Sequence, residues 1–169
     1  ILLTDPIDEW MINSLPEYDK KKLASVTQEG LNLDSEDEKK EKENELKSHK
    51  EKFKSVCEII KNTLESTIKE VKVTDRLVDS PACLVSGDND PSAHMERMLE
   101  KLGQSSEKSK RILEINPKHP VFNKMLDFPE EKQKLWAEIL FNQALINEGS
   151  QIKDPMKFSR QISELMITG

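Results

Sequence analysis

The chain has 169 residues, of which 34% are charged and 5% aromatic, with a formal net charge of −6. A protein of this size can bury roughly 70% of its unfolded surface, enough for one or two small domains, and a solvated, aromatic-poor composition suits helices. The acidic balance argues against a nucleic-acid partner, which needs a basic face, and no apolar run approaches the ~20 residues of a membrane helix.

Ile1-Leu-Leu-Thr4 has the composition of a strand, and the chain opens there without an initiator methionine, so it reads as a piece of a longer protein. Asp5-Pro6 predicts the start of a short helix carrying Ile7, Trp10 and Met11. Leu23-Ala-Ser-Val26 predicts a further strand before a turn at Gly30. Residues 34–54 are dominated by Asp, Glu and Lys of mixed sign. Glu–Lys pairs three or four apart favour helix over a disordered tail. The run also flows without a breaker into Phe53, Val56, Cys57, Ile60 and Leu64, an apolar stripe at helical spacing. One long helix is expected, solvated at its start and docked from Phe53 onward.

Val71 and Val73 alternate with charged residues, the period of a half-buried strand, and Pro81-Ala-Cys-Leu-Val-Ser86 is a second short apolar run closed by Gly87-Asp88-Asn89. Asp90-Pro91 signals a helix start. Met95, Met98, Leu99 and Leu102 then share one helical face until Gly103 stops the helix. Arg111-Ile-Leu-Glu-Ile115 predicts a third strand ending at Asn116-Pro117, and residues 119–126 a short helix. A longer helix begins after Phe128-Pro129 with Glu130 and Glu131 in its first turn. It carries Leu135, Trp136, Ile139, Leu140, Phe141, Ala144, Leu145 and Ile146, which span more than one face, and it ends at Gly149. Asp154-Pro155 starts a last helix striped with Phe158, Ile162, Leu165 and Met166. So few elements cannot cover both faces of the 130–147 segment, and a partner chain is the economical solution.

Little points to chemistry. The five glycines form no phosphate-cradling loop, and His49, His94 and His119 lie far apart with no metal-ligand spacing. His94 is expected to be a solvated helix residue and His119 a local hydrogen-bonder. Cys57 and Cys83 sit in apolar runs, as reduced buried thiols of a cytoplasmic protein do.

Several segments, in order and at fitting spacing, carry a resemblance. They are Asp8-Glu-Trp-Met11 with Ser25-Val26, Thr74-Asp-Arg-Leu-Val-Asp-Ser-Pro-Ala-Cys83, Met95-Glu-Arg-Met98, Leu113-Glu-Ile-Asn-Pro-Lys-His-Pro120, and Asn142-Gln-Ala-Leu145 with Asp154-Pro155. Together they resemble the carboxy-terminal domain of the ninety-kilodalton heat-shock chaperones, bacterial HtpG branch. The ending Met166-Ile-Thr-Gly169, without the acidic-hydrophobic tail of the eukaryotic cytosolic relatives, points to the same branch.

The resemblance implies that residues 1–33 are the incomplete end of a middle domain, and Trp10 is expected to pack into that domain's core, the alternative being a binding residue. It implies that residues 34–169 form the C-terminal dimerisation domain. The fold class expected is α+β: a small three-stranded sheet with flanking helices, and a C-terminal helical pair that forms a four-helix bundle in a homodimer. The interface would be drawn from Leu135, Trp136, Ile139, Leu140, Ala144, Leu145, Phe158, Ile162, Leu165 and Met166. A helix with the face of Met95, Met98, Leu99 and Leu102 ordinarily packs that face as core. The resemblance implies instead that it meets non-native client proteins, a role suited to pliable methionine. Pro91, where the family often has another apolar residue, would shrink that patch. No catalytic activity and no cofactor are expected of the chain, because in the family ATP and Mg are bound by segments it lacks. The alternative is a non-chaperone dimeric adaptor with a charged helical arm.

Overall fold

A computed structural model describes residues 8, 11–12, 14–15, 17–23, 36–87, 90–103 and 109–168. The elements run β1 (Glu17–Tyr18), β2 (Lys21–Lys22), α1 (Glu36–Lys52), α2 (Lys54–Thr63), β3 (Ile68–Val73), β4 (Ala82–Val85), α3 (Ala93–Lys101), β5 (Arg111–Ile115), α4 (Pro120–Leu126), α5 (Glu130–Asn147) and α6 (Pro155–Thr168). The class is α+β. Two compact units are present: Ile1–Leu33 with Val85–Ser109, and Asp34–Leu84 with Lys110–Gly169.

In the first unit Asp8, Met11, Ile12 and Ser14 are helical, within the short helix expected there. The strands expected at residues 1–4 and 23–26, together with Ile7 and Trp10, lie outside the described residues apart from Leu23, which is not in a strand. A hairpin that the sequence does not announce pairs Glu17 with Lys22 and Tyr18 with Lys21. Its two-residue turn holds Asp19 and Lys20 at φ of 48° and 60°, the left-handed pair that matches strand twist but ordinarily draws Asn or Gly. Helix α3 starts two residues later than Asp90-Pro91 predicts. Ser92 is the cap, its extended backbone letting Oγ accept from the Met95 N–H at 3.0 Å, and a serine hydroxyl there satisfies an otherwise free first-turn amide. Gly103, at φ +74°, ends the helix as expected.

The second unit is built on a mixed sheet in the order β3-β5-β4. Parallel β3 and β5 align Val71 with Leu113 and Val73 with Ile115, after a register shift between Ile68 and Glu70. All five residues of the central strand β5 are buried. Phe53, Val56, Ile60 and Leu64 of the α2 segment lie in one core cluster with Leu113 and Ile115, Val121, Phe122 and Met125 of α4, and Ala137, Leu140, Phe141 and Ala144 of α5.

The expected single helix over residues 34–64 is broken at Phe53, whose backbone (φ −99°, ψ 10°) leaves helical geometry between α1 and α2. The reason lies in its ring, which is fully buried, stacks on His49 at 6.3 Å and meets Phe122 edge-on at 6.2 Å. Docking from Phe53 onward holds. The two C-terminal helices end and begin as the sequence predicts. Gly149 (φ +78°) closes α5, with its N–H on the Ile146 carbonyl and that of Ser150 on the Leu145 carbonyl. Asp154 caps α6 by accepting from the Lys157 N–H at 2.9 Å.

Candidate functional site

Helix α3 carries the residues expected to meet clients. None of its residues is fully buried: Met95, Met98 and Leu99 are half-buried, and Leu102 at the cap is 62% exposed. Beyond Met95 and the cap, Glu96 Oε1 accepts from the Ser109 N–H at 3.1 Å, tying the first turn to the strand-bound end of the following loop. His94 departs from its expected solvation. It is half-buried, and its Nε2 is enclosed with no hydrogen-bond partner among the described residues.

Helices α5 and α6 carry the ten expected interface residues, and the structure divides them. Leu140 and Ala144 are 2% and 1% exposed and sit in the chain's own core cluster, and Ile139 is buried as well. One apolar face of α5 covers α2 and α4, and it places Leu140 and Ala144 in the chain's own core. Leu135, Trp136 and Leu145 are half-buried, the last two against the core, and Trp136 stacks on Phe128 at 6.2 Å. On α6, Phe158, Ile162 and Leu165 are half-buried while Met166 is 81% exposed. Three exposed apolar residues lie outside the expected set: Ile146 at the end of α5, and Met156 and Ile167 on α6. Among the described residues of α6, Gln161 is buried, and its side-chain amide donates to Glu138 on α5, beside the ion pair of Lys157 with the same carboxylate.

The Thr74–Cys83 motif does mechanical work. Arg76 Nε reaches Glu114 Oε2 at 2.5 Å, a pair that takes a 5% exposed carboxylate out of water on the central strand. Asn116, 1% exposed at the end of β5, donates from Nδ2 to the carbonyls of Val78 (3.2 Å) and Ser80 (3.3 Å), and its N–H donates to that of Pro81 at 2.8 Å. The crossover 75–80 is thereby stapled to β5. Glu114 is the available signal: a carboxylate flanked by Leu113 and Ile115 in a short strand calls for a cation beside it.

Both cysteines are free and half-buried. Burial, and then the Glu58 charge, pushes the Cys57 thiol up to about 11. Burial first and Glu114 second also raise that of Cys83, against the opposing pull of Arg76. His119 is the local hydrogen-bonder expected, capping α4 by accepting at Nδ1 from the Val121 N–H at 3.3 Å. Among the described residues no three His, Cys, Asp or Glu side chains come together as a metal site, and no helix is long and apolar enough to cross a membrane.

A mixed three-stranded sheet, two apolar C-terminal helices and a methionine-edged helix occur here in one chain whose whole length, residues 1–169, matches the family model of the Hsp90 protein. The chain belongs to that family. Among its relatives, the chaperone protein HtpG of Bdellovibrio bacteriovorus is 51% identical over 169 residues, covering 99% of this chain and 27% of the relative. The chaperone protein HtpG of Aromatoleum aromaticum is 45% identical over 168 residues, and that of Geobacter sulfurreducens 39% over 172 residues, each covering 99% of this chain and 26% of the relative. The chain thus spans about a quarter of the length of the curated relatives it matches.

Proposed function

We propose that the chain is the part of a cytoplasmic molecular chaperone that joins two copies through α5 and α6 and offers α3 to non-native client proteins. It carries no nucleotide site or catalytic activity of its own. The observation that carries the reading is the state of α6. It has six described apolar side chains, Met156, Phe158, Ile162, Leu165, Met166 and Ile167, and none is fully buried. Covering the stripe of Phe158, Ile162, Leu165 and Met166 is worth roughly 1.5–3 kcal/mol for each side chain fully buried, and a second copy presenting the same face is a symmetric way to do so. The partial exposure of Met95, Met98 and Leu99 supports the client role of α3, because pliable methionines adapt to varied surfaces.

Sedimentation tests the pairing. The natural chain is expected to run at twice its 19.4 kDa mass. Glu at both Met166 and Ile167, which are 81% and 84% exposed within one chain, should give a folded monomer, since unpaired charges would enter an interface on the order of 2,000 Å². A natural chain that runs as a monomer, or a double variant that still pairs, refutes the reading.

A further inference from the structure

Helix α1 is joined to the rest of its unit in an unusual way. Thirteen of its seventeen residues are Asp, Glu or Lys, and its apolar attachment to the core is the half-buried Leu46. The next segment of chain is the opposite: Phe53, Val56 and Ile60 are fully enclosed. Helical dihedrals are interrupted between the two, at Phe53, with no side-chain cap, and the junction is held by two backbone bonds, Phe53 N–H to the His49 carbonyl at 3.0 Å and Cys57 N–H to the Phe53 carbonyl at 2.9 Å. Two contacts between side chains on the surface close α1 against the α4 region. Lys118 Nζ meets Glu45 Oε2 at 3.2 Å, with both side chains more than half exposed, and Lys52 Nζ donates to Asn123 Oδ1 at 2.7 Å. Phe122, which the Phe53 ring touches edge-on, belongs to the same short helix as Asn123.

We propose that Glu36–Lys52 is an arm hinged at Phe53 and held against α4 by a salt-sensitive clasp, Glu45 to Lys118 and Lys52 to Asn123. The pivot is fixed because its ring is buried at one end of α4, while the clasp is weak because it lies in water. An exposed ion pair shifts an equilibrium only a few-fold, and salt screens it. An arm so attached sits near balance between held and released, and remains helical in both states because its sequence sets Glu and Lys three or four residues apart.

The test uses the full chain with its cysteines intact. Ketone-bearing side chains at positions 43 and 124, both outside the clasp, are spin-labelled, and the distance distribution is read by pulsed electron resonance at ~50 mM and ~500 mM salt, across which the Debye length shrinks about threefold. One short distance is expected at low salt. A second, longer population should grow several-fold at high salt or in Lys118→Glu, and the paired reversal Glu45→Lys with Lys118→Glu should restore the short distance. Far-UV circular dichroism should show unchanged helix content throughout. A distribution indifferent to salt and charge reversal would mean that Leu46 and His49 hold the arm, and a fall in helix content would mean that it melts rather than pivots. Either result overturns the proposal.

Discussion

The Arg76–Glu114 pair makes an asymmetric prediction. The Glu114 side chain is 6% exposed and cannot turn to solvent, whereas that of Arg76 is 23% exposed and can. Replacing Arg76 with Met therefore leaves a buried, uncompensated carboxylate, and the expected loss is about 3 kcal/mol, the low end for breaking a buried pair. For a chain of this length that corresponds to a drop of roughly 6–12 °C in melting temperature. Replacing Glu114 with Leu strands only a cation that can reach water, and should cost about 1 kcal/mol. The double variant restores an apolar contact and should lose much less than the sum of the two. Equilibrium urea unfolding of the four proteins, followed by far-UV circular dichroism, measures all three differences. Losses that simply add, or a loss below about 1 kcal/mol for Arg76→Met, would show that the pair does not hold the crossover to the central strand.

Three further outcomes are expected. Cutting Met98 and Leu99 to Ala should leave stability within about 1 kcal/mol, as partly exposed positions do, while weakening suppression of a model client's aggregation; a collapse of the fold would return α3 to the core. Because the Cys57 thiol is raised from 9.0 to about 11, the folded state holds its proton more tightly than the unfolded one. Its contribution is complete below pH 9 and is lost between pH 9 and about 11, so Cys57→Ala should flatten the decline of stability across that window in an alkaline urea series. Calorimetric titration with Mg-ATP should show no saturable heat, and a stoichiometric isotherm would reveal a nucleotide site in this chain.

Much of the fold is legible in the sequence because its signals are local. Caps and stops at Asp154, Gly103 and Gly149 depend on a few neighbouring residues, and the strand patterns within 68–73, 82–85 and 111–115 are short and local. The features that escape it depend on distant partners or on competition between equal signals. Asp90 and Ser92 are both competent caps, and sequence order alone favours the first, although Ser92 takes the role. Phe53 sits in an unbroken helical pattern, and the break exists because a ring from residue 122 packs against its own. The candidate interface shows the same limit. Periodicity identifies α5 as apolar on more than one side, but it cannot say which side the chain's own α2 and α4 consume. Leu140 and Ala144 therefore group by pattern with residues such as Met166 that remain exposed. Both hairpin residues of positive φ, Asp19 and Lys20, lack the Asn-Gly signature that would mark the turn.

The order β3-β5-β4 also governs how the molecule can be made. The first two strands of this sheet to leave a ribosome, Ile68–Val73 and Ala82–Val85, are not neighbours once it is complete. Neither has its partner until Arg111–Ile115 has been synthesised and slides between them. At common elongation speeds that wait lasts roughly 2–8 s after Val73 is added, long compared with the microseconds in which a hairpin closes. During it the edges of β3 and β4 offer bare amides and carbonyls to any passing strand, while α1 and α2, which need only local bonds, can already be helical. The nascent chain is thus most vulnerable to association between the emergence of Val73 from the ribosome and that of Ile115, and a pause in translation within that window should lower the yield of folded protein more than the same pause placed after Ile115 has emerged.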